Sequence, residues 1–188
     1  MNKGLTVFLV RHGESEWNLE GRLQGQTSNI PLTTLGRKQA HHTAAQLANS
    51  GAQIVLSSDL LRAAETARII AQELSIPLRL ENDLREQSLG IFEGRLAIEA
   101  HREVNDTDWF DPDWRPVGGE SLEDVYIRLE RLFRKLQQEH PGGQVIVVTH
   151  GDAARTALVL LRGENLEGVT RAVLKNGEFI KLTSRKIT

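Results

Sequence analysis

The sequence predicts an α/β fold, a three-layer sandwich with a mostly parallel central sheet and helices on both faces. Short apolar segments alternate with longer segments of helical periodicity along most of the chain. Two of the apolar segments run directly into a histidine and a glycine, at His12-Gly13 and at His150-Gly151. No shift in composition marks a boundary, so residues 1–188 are expected to form one domain.

The first half of the chain contains three short apolar segments that predict strands: Leu5–Val10, Ile54–Leu56 and Leu78–Leu80. A helix capped by Thr33 or Thr34 is expected between the first two strands and should end at Gly51. After the second strand, apolar residues recur at helical spacing from Leu61 to Leu74. The segment Ser57-Ser58-Asp59 is the expected N-cap of that helix.

The middle of the chain interrupts this alternation. From about residue 93 to residue 120 the sequence has no clear period and contains the segment DWFDPDWRPVGGE, which predicts an excursion outside the sheet. A strong helix follows, and Ser121 to Asp124 resemble a capping box at its start. The last predicted elements are a strand, a helix and a hairpin turning at Asn176-Gly177: Val145–Val148, about Ala153–Leu161, and residues 169–174 with 178–183.

The composition is that of an ordinary globular protein. Of the 188 residues, 39% are hydrophobic and 26% are charged, and the net charge of -2 argues against a nucleic-acid partner. No apolar segment approaches the roughly 20 residues of a membrane span, and the N-terminus lacks a signal-peptide pattern. We expect a cytoplasmic protein, a monomer or a homodimer, without a membrane partner.

Polar side chains follow the predicted strands at their carboxyl ends. Arg11 and His12 follow the first strand, Arg62 lies in the first turn of the helix after the second, and His150 follows a later strand. Glu86 comes after the third strand. Ligands of open α/β sheets bind at this edge, so one pocket is expected to collect these five side chains.

This set of side chains suits a phosphate ester. The guanidinium groups of Arg11 and Arg62 present planar forks of donors to phosphate oxygens. A neutral imidazole attacks phosphorus and carries the phosphoryl group. A second imidazole, when it is protonated, stabilises the charge on the transferring oxygens. Glu86 is the candidate that protonates the leaving alkoxide and later deprotonates the attacking water.

A metal centre is the main chemical alternative, and the sequence argues against it. The chain has no cysteine, which excludes disulfides and thiolate ligands. His41 and His42 are adjacent and face different directions, and neither His12 nor His150 has another histidine at helical ligand spacing. We therefore expect neither a metal ion nor another cofactor.

Six motifs resemble the histidine phosphatase superfamily, in its phosphoglycerate-mutase-like branch. They occur in the family's order and spacing over almost the whole chain: RHGESEWNLEGRLQG, PLTTLGRKQA, SSDLLRAAETA, LREQSLGIFEG, GGESLEDVYIRL and VVTHGDAAR. The resemblance implies that His12 is a nucleophile that forms a phosphohistidine. It also implies that Arg11, Arg62 and His150 bind the phosphate and that Glu86 is the proton donor and later the base.

The resemblance extends the site beyond this catalytic set. Asn18 is implied to bind the phosphate, and Arg22 and Gln24 are implied to lie at the mouth of the pocket. We also expect substrate contacts at Gly25 and at Gly151, because a glycine lets the backbone approach a phosphate closely.

Two questions stay open at this point. Asp152 is either the N-cap of the helix from Ala153 or a residue of the pocket mouth that selects a substrate with an amine or hydroxyl groups near its phosphate. The aromatic residues Trp109, Phe110 and Trp114 either cover the pocket as a lid or pack as core.

Three functions are compatible with these motifs. The leading hypothesis is a metal-independent phosphomonoesterase that acts on a small phosphorylated metabolite. The second is a phosphoglycerate mutase, although Gln24, Asp152 and the short interval between Glu86 and His150 depart from the mutase pattern. The third is a non-catalytic protein that binds a phosphorylated ligand, against which the complete set of nucleophile, arginines and acid argues.

Overall fold

A five-stranded sheet lies at the centre of the part of the chain that this computed structural model describes, residues 4–104, 109, 111–166 and 174–184. The strands follow the order β3-β2-β4-β1-β5 across the sheet. Their bounds are β1 Thr6–Arg11, β2 Val55–Ser57, β3 Leu78–Leu80, β4 Gln144–Thr149 and β5 Phe179–Thr183. All neighbours are parallel except β5, which is antiparallel to β1. The predicted α/β sandwich is confirmed.

Six α-helices accompany the sheet within these residues: α1 Glu16–Glu20, α2 Thr34–Leu47, α3 Leu61–Leu74, α4 Ala97–Glu103, α5 Leu122–Glu139 and α6 Gly151–Arg162. Two predicted caps are confirmed. Thr33 accepts a hydrogen bond at the start of α2, and Ser121 forms a capping box with Asp124 at the start of α5. None of the helices described combines the length and the apolarity needed to span a bilayer.

One predicted helix cap is wrong, and one predicted helix start is displaced by two residues. The segment Ser57-Ser58-Asp59 does not cap α3, whose N-cap is Leu60 without a side-chain hydrogen bond; the carboxylate of its last residue pairs with Arg85 instead. Helix α6 begins at Gly151, two residues earlier than predicted, with His150 as its N-cap. At the start of α3 the Leu61 amide donates to the Ser28 carbonyl at 2.9 Å, a contact between distant parts of the chain that a sequence pattern does not reveal.

Apolar side chains cover both faces of the sheet. Leu9 lies in a buried cluster with Phe133 of α5, whereas its neighbour Val10 lies in a second cluster with Ile70 of α3. This alternation follows from the period of two in a strand. Since the central strands are buried on both faces, polar side chains gather where those strands end.

The described residues of the excursion, from about residue 93 to residue 120, lie outside the sheet, as predicted, and two of its tryptophans belong to a small aromatic cluster. The Phe92 ring lies 5.5 Å from that of Trp109 and 6.4 Å from that of Trp114, between centroids, and the two indoles are 4.9 Å apart. Leu89 belongs to the same cluster, while Phe110 lies outside the described residues. The two tryptophans therefore pack against each other and against Phe92.

The predicted hairpin is described on one side only. Gly177 has a φ of 77°, a left-handed value that suits the turn, and β5 follows it. Residues 169–173 of the other arm lie outside the described residues.

Candidate active site

Two parallel strands bring the two His-Gly motifs to one edge of the sheet. Arg11 of β1 lies opposite Thr149 of β4, and the His12 amide donates to the Thr149 carbonyl at 2.9 Å. His12 and His150 each come directly after this last pair. Their rings meet edge to face, with centroids 5.1 Å apart.

The His12 ring is held in one tautomer. Its Nδ1 lies 2.7 Å from the Gly13 carbonyl oxygen. That oxygen only accepts, so Nδ1 carries the proton and Nε2 carries the lone pair. Burial, assisted by the guanidinium groups of Arg62 and Arg11, lowers the pKa of His12 well below its ordinary value. The ring is therefore neutral near pH 7, which is the form that a nucleophile needs.

His150 lies beside His12 and is fully buried. Burial, Arg62 and His12 lower the pKa of His150 well below its ordinary value, so the ring is neutral near pH 7. Neither ring nitrogen has a hydrogen-bond partner among the described residues. Buried polar atoms without partners are rare in folded proteins, and their presence here is typical of a site that binds a ligand.

Backbone carbonyls hold the two inner arginines. Arg62 is fully buried and donates from Nη1 to Thr27 at 3.0 Å and from Nη2 to Gly25 at 2.8 Å. Arg11 donates from Nη1 to Leu174 at 2.9 Å. Burial lowers the pKa of Arg62 to about 10, so it remains a cation at neutral pH. Because carbonyl groups carry no net charge, both guanidinium groups keep their attraction for an anion.

Glu86 occupies the N-terminus of α6. Its carboxylate accepts from the amides of Gly151 at 2.8 Å, Asp152 at 3.3 Å and Ala153 at 2.9 Å. The amides at a helix N-terminus attract an anion, and here they bind the Glu86 carboxylate. The N-cap interpretation of Asp152 is wrong, because Asp152 lies inside the first turn of α6 and Glu86 supplies the cap.

The same surroundings set the protonation of Glu86. Burial raises the pKa of this carboxyl above its ordinary value, and the nearby Asp152 carboxylate raises it further, against the lowering effect of the backbone amides. A carboxyl group with a raised pKa keeps its proton closer to neutral pH and is a better general acid there.

One cavity of about 310 Å³ joins these side chains. Ten of the eleven predicted site residues line it: Arg11, His12, Asn18, Arg22, Gln24, Gly25, Arg62, Glu86, Gly151 and Asp152. The eleventh, His150, touches the site through the His12 ring. The sequence analysis missed Leu23, Leu89 and Arg155, which also line the cavity. Arg155 had a detectable signal, because it follows Asp152 by three residues and so shares its face of the helix.

Two side-chain amides that line this cavity have their oxygens engaged within the protein. The Asn18 Oδ1 accepts from the Ser15 amide and from Asn176 Nδ2, both at 3.1 Å. The Gln24 Oε1 accepts from Ser15 Oγ at 2.8 Å. Because both carbonyl oxygens are engaged within the protein, the NH2 groups of Asn18 and Gln24 are the atoms left to bind a ligand, and donors suit an anion.

The charges at the mouth of the cavity are paired. Arg22 binds the Glu20 carboxylate at 2.6 Å, and Arg155 binds the Asp152 carboxylate at 2.9 Å. Within the described part of the chain, the guanidinium groups lining the cavity that have no directly bound carboxylate are those of Arg11 and Arg62. They define the inner end of the cavity. Among the described residues, no group of three or more His, Asp or Glu side chains is arranged to hold a metal ion.

Comparison with known families agrees with this geometry. Residues 7–186 match the model of the histidine phosphatase superfamily, branch 1. The chain belongs to this superfamily. The match begins in β1 and continues past β5, so it includes every residue that lines the cavity.

Relatives of this histidine phosphatase superfamily member have names of two kinds. A probable phosphoglycerate mutase of Cronobacter sakazakii is 36% identical over 180 residues, which cover 92% of this chain and 81% of the relative. The uncharacterized phosphatase PhoE of Bacillus subtilis is 34% identical over 177 residues, which cover 92% of this chain and 88% of the relative.

Two solved structures with the same fold carry phosphatase names. A mycobacterial glucosyl-3-phosphoglycerate phosphatase in complex with VO3 superposes with a TM-score of 0.86 at 28% identity, covering 95% of this chain and 90% of that chain. The α-ribazole phosphatase of Shigella flexneri superposes with a TM-score of 0.82 at 26% identity, covering 94% and 89%. The chain thus has the fold of enzymes named for the removal of phosphate from small molecules.

Proposed function

We propose that this superfamily member is a metal-independent phosphomonoesterase that hydrolyses a small phosphorylated metabolite through a phosphohistidine on His12. The observation that carries the proposal is the His12 tautomer, which places the lone pair on Nε2 of a ring that lines the cavity. The same cavity contains the inner guanidinium groups of Arg11 and Arg62 and the carboxyl group of Glu86. A nucleophile, an anion site and a proton donor therefore share one volume.

In the first step, His12 Nε2 attacks the phosphorus atom. A P–N bond forms while the P–O ester bond breaks, and the electron pair of that bond passes to the leaving oxygen, which takes the proton of Glu86. Arg11 and Arg62 hold the phosphoryl oxygens. A bound phosphate opposes the effects that lower the pKa of His150, so His150 takes up a proton on binding and donates to a phosphoryl oxygen.

In the second step, water replaces the alcohol. The Glu86 carboxylate takes a proton from the water, whose oxygen forms a new P–O bond as the P–N bond breaks. The electron pair returns to His12 Nε2, inorganic phosphate leaves, and Glu86 is protonated as it was at the start. The cycle consumes one water molecule and needs no external redox partner.

A panel of phosphomonoesters combined with acid quenching tests this proposal. Enzyme mixed with a labelled ester should release phosphate and retain an acid-labile label, and His12→Ala should retain none. His42→Ala, an exposed histidine of α2, is the matched control and should label normally. Tight binding of phosphate without turnover of any ester would instead support the non-catalytic binder.

Metal independence is tested separately by chelation. Arginine, asparagine and glutamine donors supply the anion site in this proposal, so EDTA should leave kcat unchanged. Vanadate should inhibit, because it adopts a geometry close to that of the transferring phosphoryl group. Loss of activity on chelation, restored by a divalent ion, would contradict the metal-independent mechanism.

The second candidate function is a phosphoglycerate mutase, which the name of the Cronobacter relative favours. Arg155 also brings one guanidinium group to the cavity that was not predicted from the sequence, although it is paired with the Asp152 carboxylate. The enzyme is incubated with 3-phosphoglycerate and a trace of bisphosphoglycerate. Formation of 2-phosphoglycerate faster than phosphate release would establish the mutase.

A further inference from the structure

A largely buried arginine of α5 binds the backbone of the segment that carries Glu86. The Arg128 side chain is 11% exposed. Its Nη1 donates to the carbonyl groups of Asp83 and Arg85, both at 2.7 Å, and its Nη2 donates to the carbonyl of Glu86 at 3.0 Å. One guanidinium group thus binds three carbonyl oxygens within four residues.

The other edge of this guanidinium group binds a carboxylate that extends the network. Glu120 accepts from Arg128 Nε at 3.2 Å and from Nη2 at 3.1 Å. Its Oε2 also accepts from the Ser88 amide at 2.9 Å and from Gln26 Nε2 at 3.0 Å. The pair of Arg128 and Glu120 therefore fastens the chain on both sides of Glu86 and joins it to the loop beside Gly25.

This segment has little regular structure to hold it in place. A single 3-10 turn, Asn82–Leu84, precedes Glu86, and residues 85–89 have neither helix nor strand. Carbonyl groups in such a segment have no ladder partners, and buried ones need donors from elsewhere. Arg128 supplies those donors, while the side chain of Glu86 is held by the amides of α6.

We propose that Arg128 is a positioning residue, which acts through the backbone of residues 83–86 to place the Glu86 carboxyl for proton transfer to the leaving oxygen. The inference rests on the proposed role of Glu86 as the general acid. A misplacement of about 1 Å costs a catalytic group as much as ~10²-fold in rate. Lysine at this position keeps the charge but loses the planar fork, so it cannot bind three carbonyl groups and a carboxylate together.

The test measures a ratio that does not depend on the folded fraction. For each variant, kcat/KM is measured with an alkyl ester, glycerol 2-phosphate, and with an aryl ester, p-nitrophenyl phosphate, whose leaving group needs little protonation. Glu86→Gln should lower the alkyl-to-aryl ratio most. Arg128→Lys should lower the same ratio roughly tenfold and should lower it no further when it is added to Glu86→Gln.

Arg131→Ala is the matched control. Arg131 lies on the same helix and touches the same segment, but it is 69% exposed and binds the side chain of Asp83 rather than the backbone. It should leave the ratio unchanged. If Arg128→Lys also leaves it unchanged while Glu86→Gln lowers it, or if Arg131→Ala lowers it equally, the positioning role of Arg128 is overturned alone. If Glu86→Gln itself has no effect on the ratio, the acid role of Glu86 and the present inference both fail.

Discussion

The inner end of the cavity and its mouth are held in place by different kinds of interaction. At the inner end, Arg62 is fully buried and binds two backbone carbonyl groups. At the mouth, the Arg22 side chain is 40% exposed and binds the half-exposed carboxylate of Glu20. An exposed ion pair contributes only about 0–1 kcal/mol, so the mouth can rearrange at little cost. We therefore propose that the inner end determines whether a phosphate reacts and that the mouth determines which ester is preferred.

The largest expected effect comes from the inner end. His12→Ala removes the proposed nucleophile and should lower kcat by at least roughly 10³-fold with every ester, regardless of the leaving alcohol. Circular dichroism and a melting curve should show a folded protein, since β1 and β4 are unaffected. A variant that kept a tenth of the wild-type rate, or lost activity with some esters only, would contradict the proposal that the inner end alone determines whether a phosphate reacts.

The pH dependence of the alkyl ester reaction also belongs to the inner end. In the proposed mechanism His12 must be neutral, and its pKa lies well below 6.5. Protonation of His12 therefore reduces kcat/KM only when the pH falls well below 6.5. In the proposed mechanism Glu86 must be protonated, and its pKa is raised above 4.5. The value of kcat/KM therefore falls as the pH rises through this raised pKa. Glu86→Gln should remove the descending limb and cost about 10²–10⁴-fold with alkyl esters. A descending limb that survived in this variant would assign it to another group.

The residues at the inner end could be predicted from the sequence, because strands are recognisable as short apolar runs that end in polar residues. An apolar run that ends in Arg11-His12, and another that ends at His150, place their polar residues at the same edge of any parallel sheet. The position of Glu86 at the start of α6 was not predictable in this way. Its hydrogen bonds join residues that are more than sixty positions apart, and the segment around it has no period.

The arginines that the sequence analysis passed over, Arg128 and Arg155, show a second limit. Both lie on amphipathic helices, where an arginine is ordinarily a solvated residue of the polar face. Only the packing of α5 against residues 83–86 makes Arg128 a largely buried donor. The excursion has the same limitation, because its tryptophans form a cluster with Phe92 that no local pattern specifies.

This cluster leads to a prediction of intermediate size. Trp109 and Trp114 do not line the cavity, whereas Leu89, which packs with them, does. Trp114→Ala should therefore lower stability by about 2 kcal/mol, less than for a fully buried ring, and lower Tm by roughly 5 °C. The order of preference among esters should persist. Val117→Ala, an exposed residue of the same excursion, is the control. A changed order with an unchanged Tm would make Trp114 part of a lid.

The smallest expected effect is at the mouth, at Asp152. Glu86 caps α6, so Asp152 does not act as the cap. Its carboxylate lines the cavity in an ion pair with Arg155. Asp152→Asn keeps the shape of the side chain and removes the charge. We expect kcat/KM for an acidic ester, 3-phosphoglycerate, to rise roughly fivefold relative to glycerol 2-phosphate and phosphoethanolamine, which corresponds to ~1 kcal/mol for this partly exposed charge.

The same substitution tests whether a charge at the mouth affects the pKa of Glu86. The Asp152 carboxylate raises the pKa of Glu86, so its loss lowers that pKa and should move the descending limb of the alkyl ester profile to lower pH. Glu20→Gln removes a carboxylate from the other ion pair of the mouth and should leave the limb in place, because the Glu20 carboxylate is half-exposed and bound to Arg22, so that solvent screens its charge. If Asp152→Asn changes neither the limb nor the order of esters, Asp152 only holds Arg155. If Asp152→Asn moves the descending limb but leaves the order of esters unchanged, Asp152 affects the pKa of Glu86, and the preference among esters depends on other residues of the mouth.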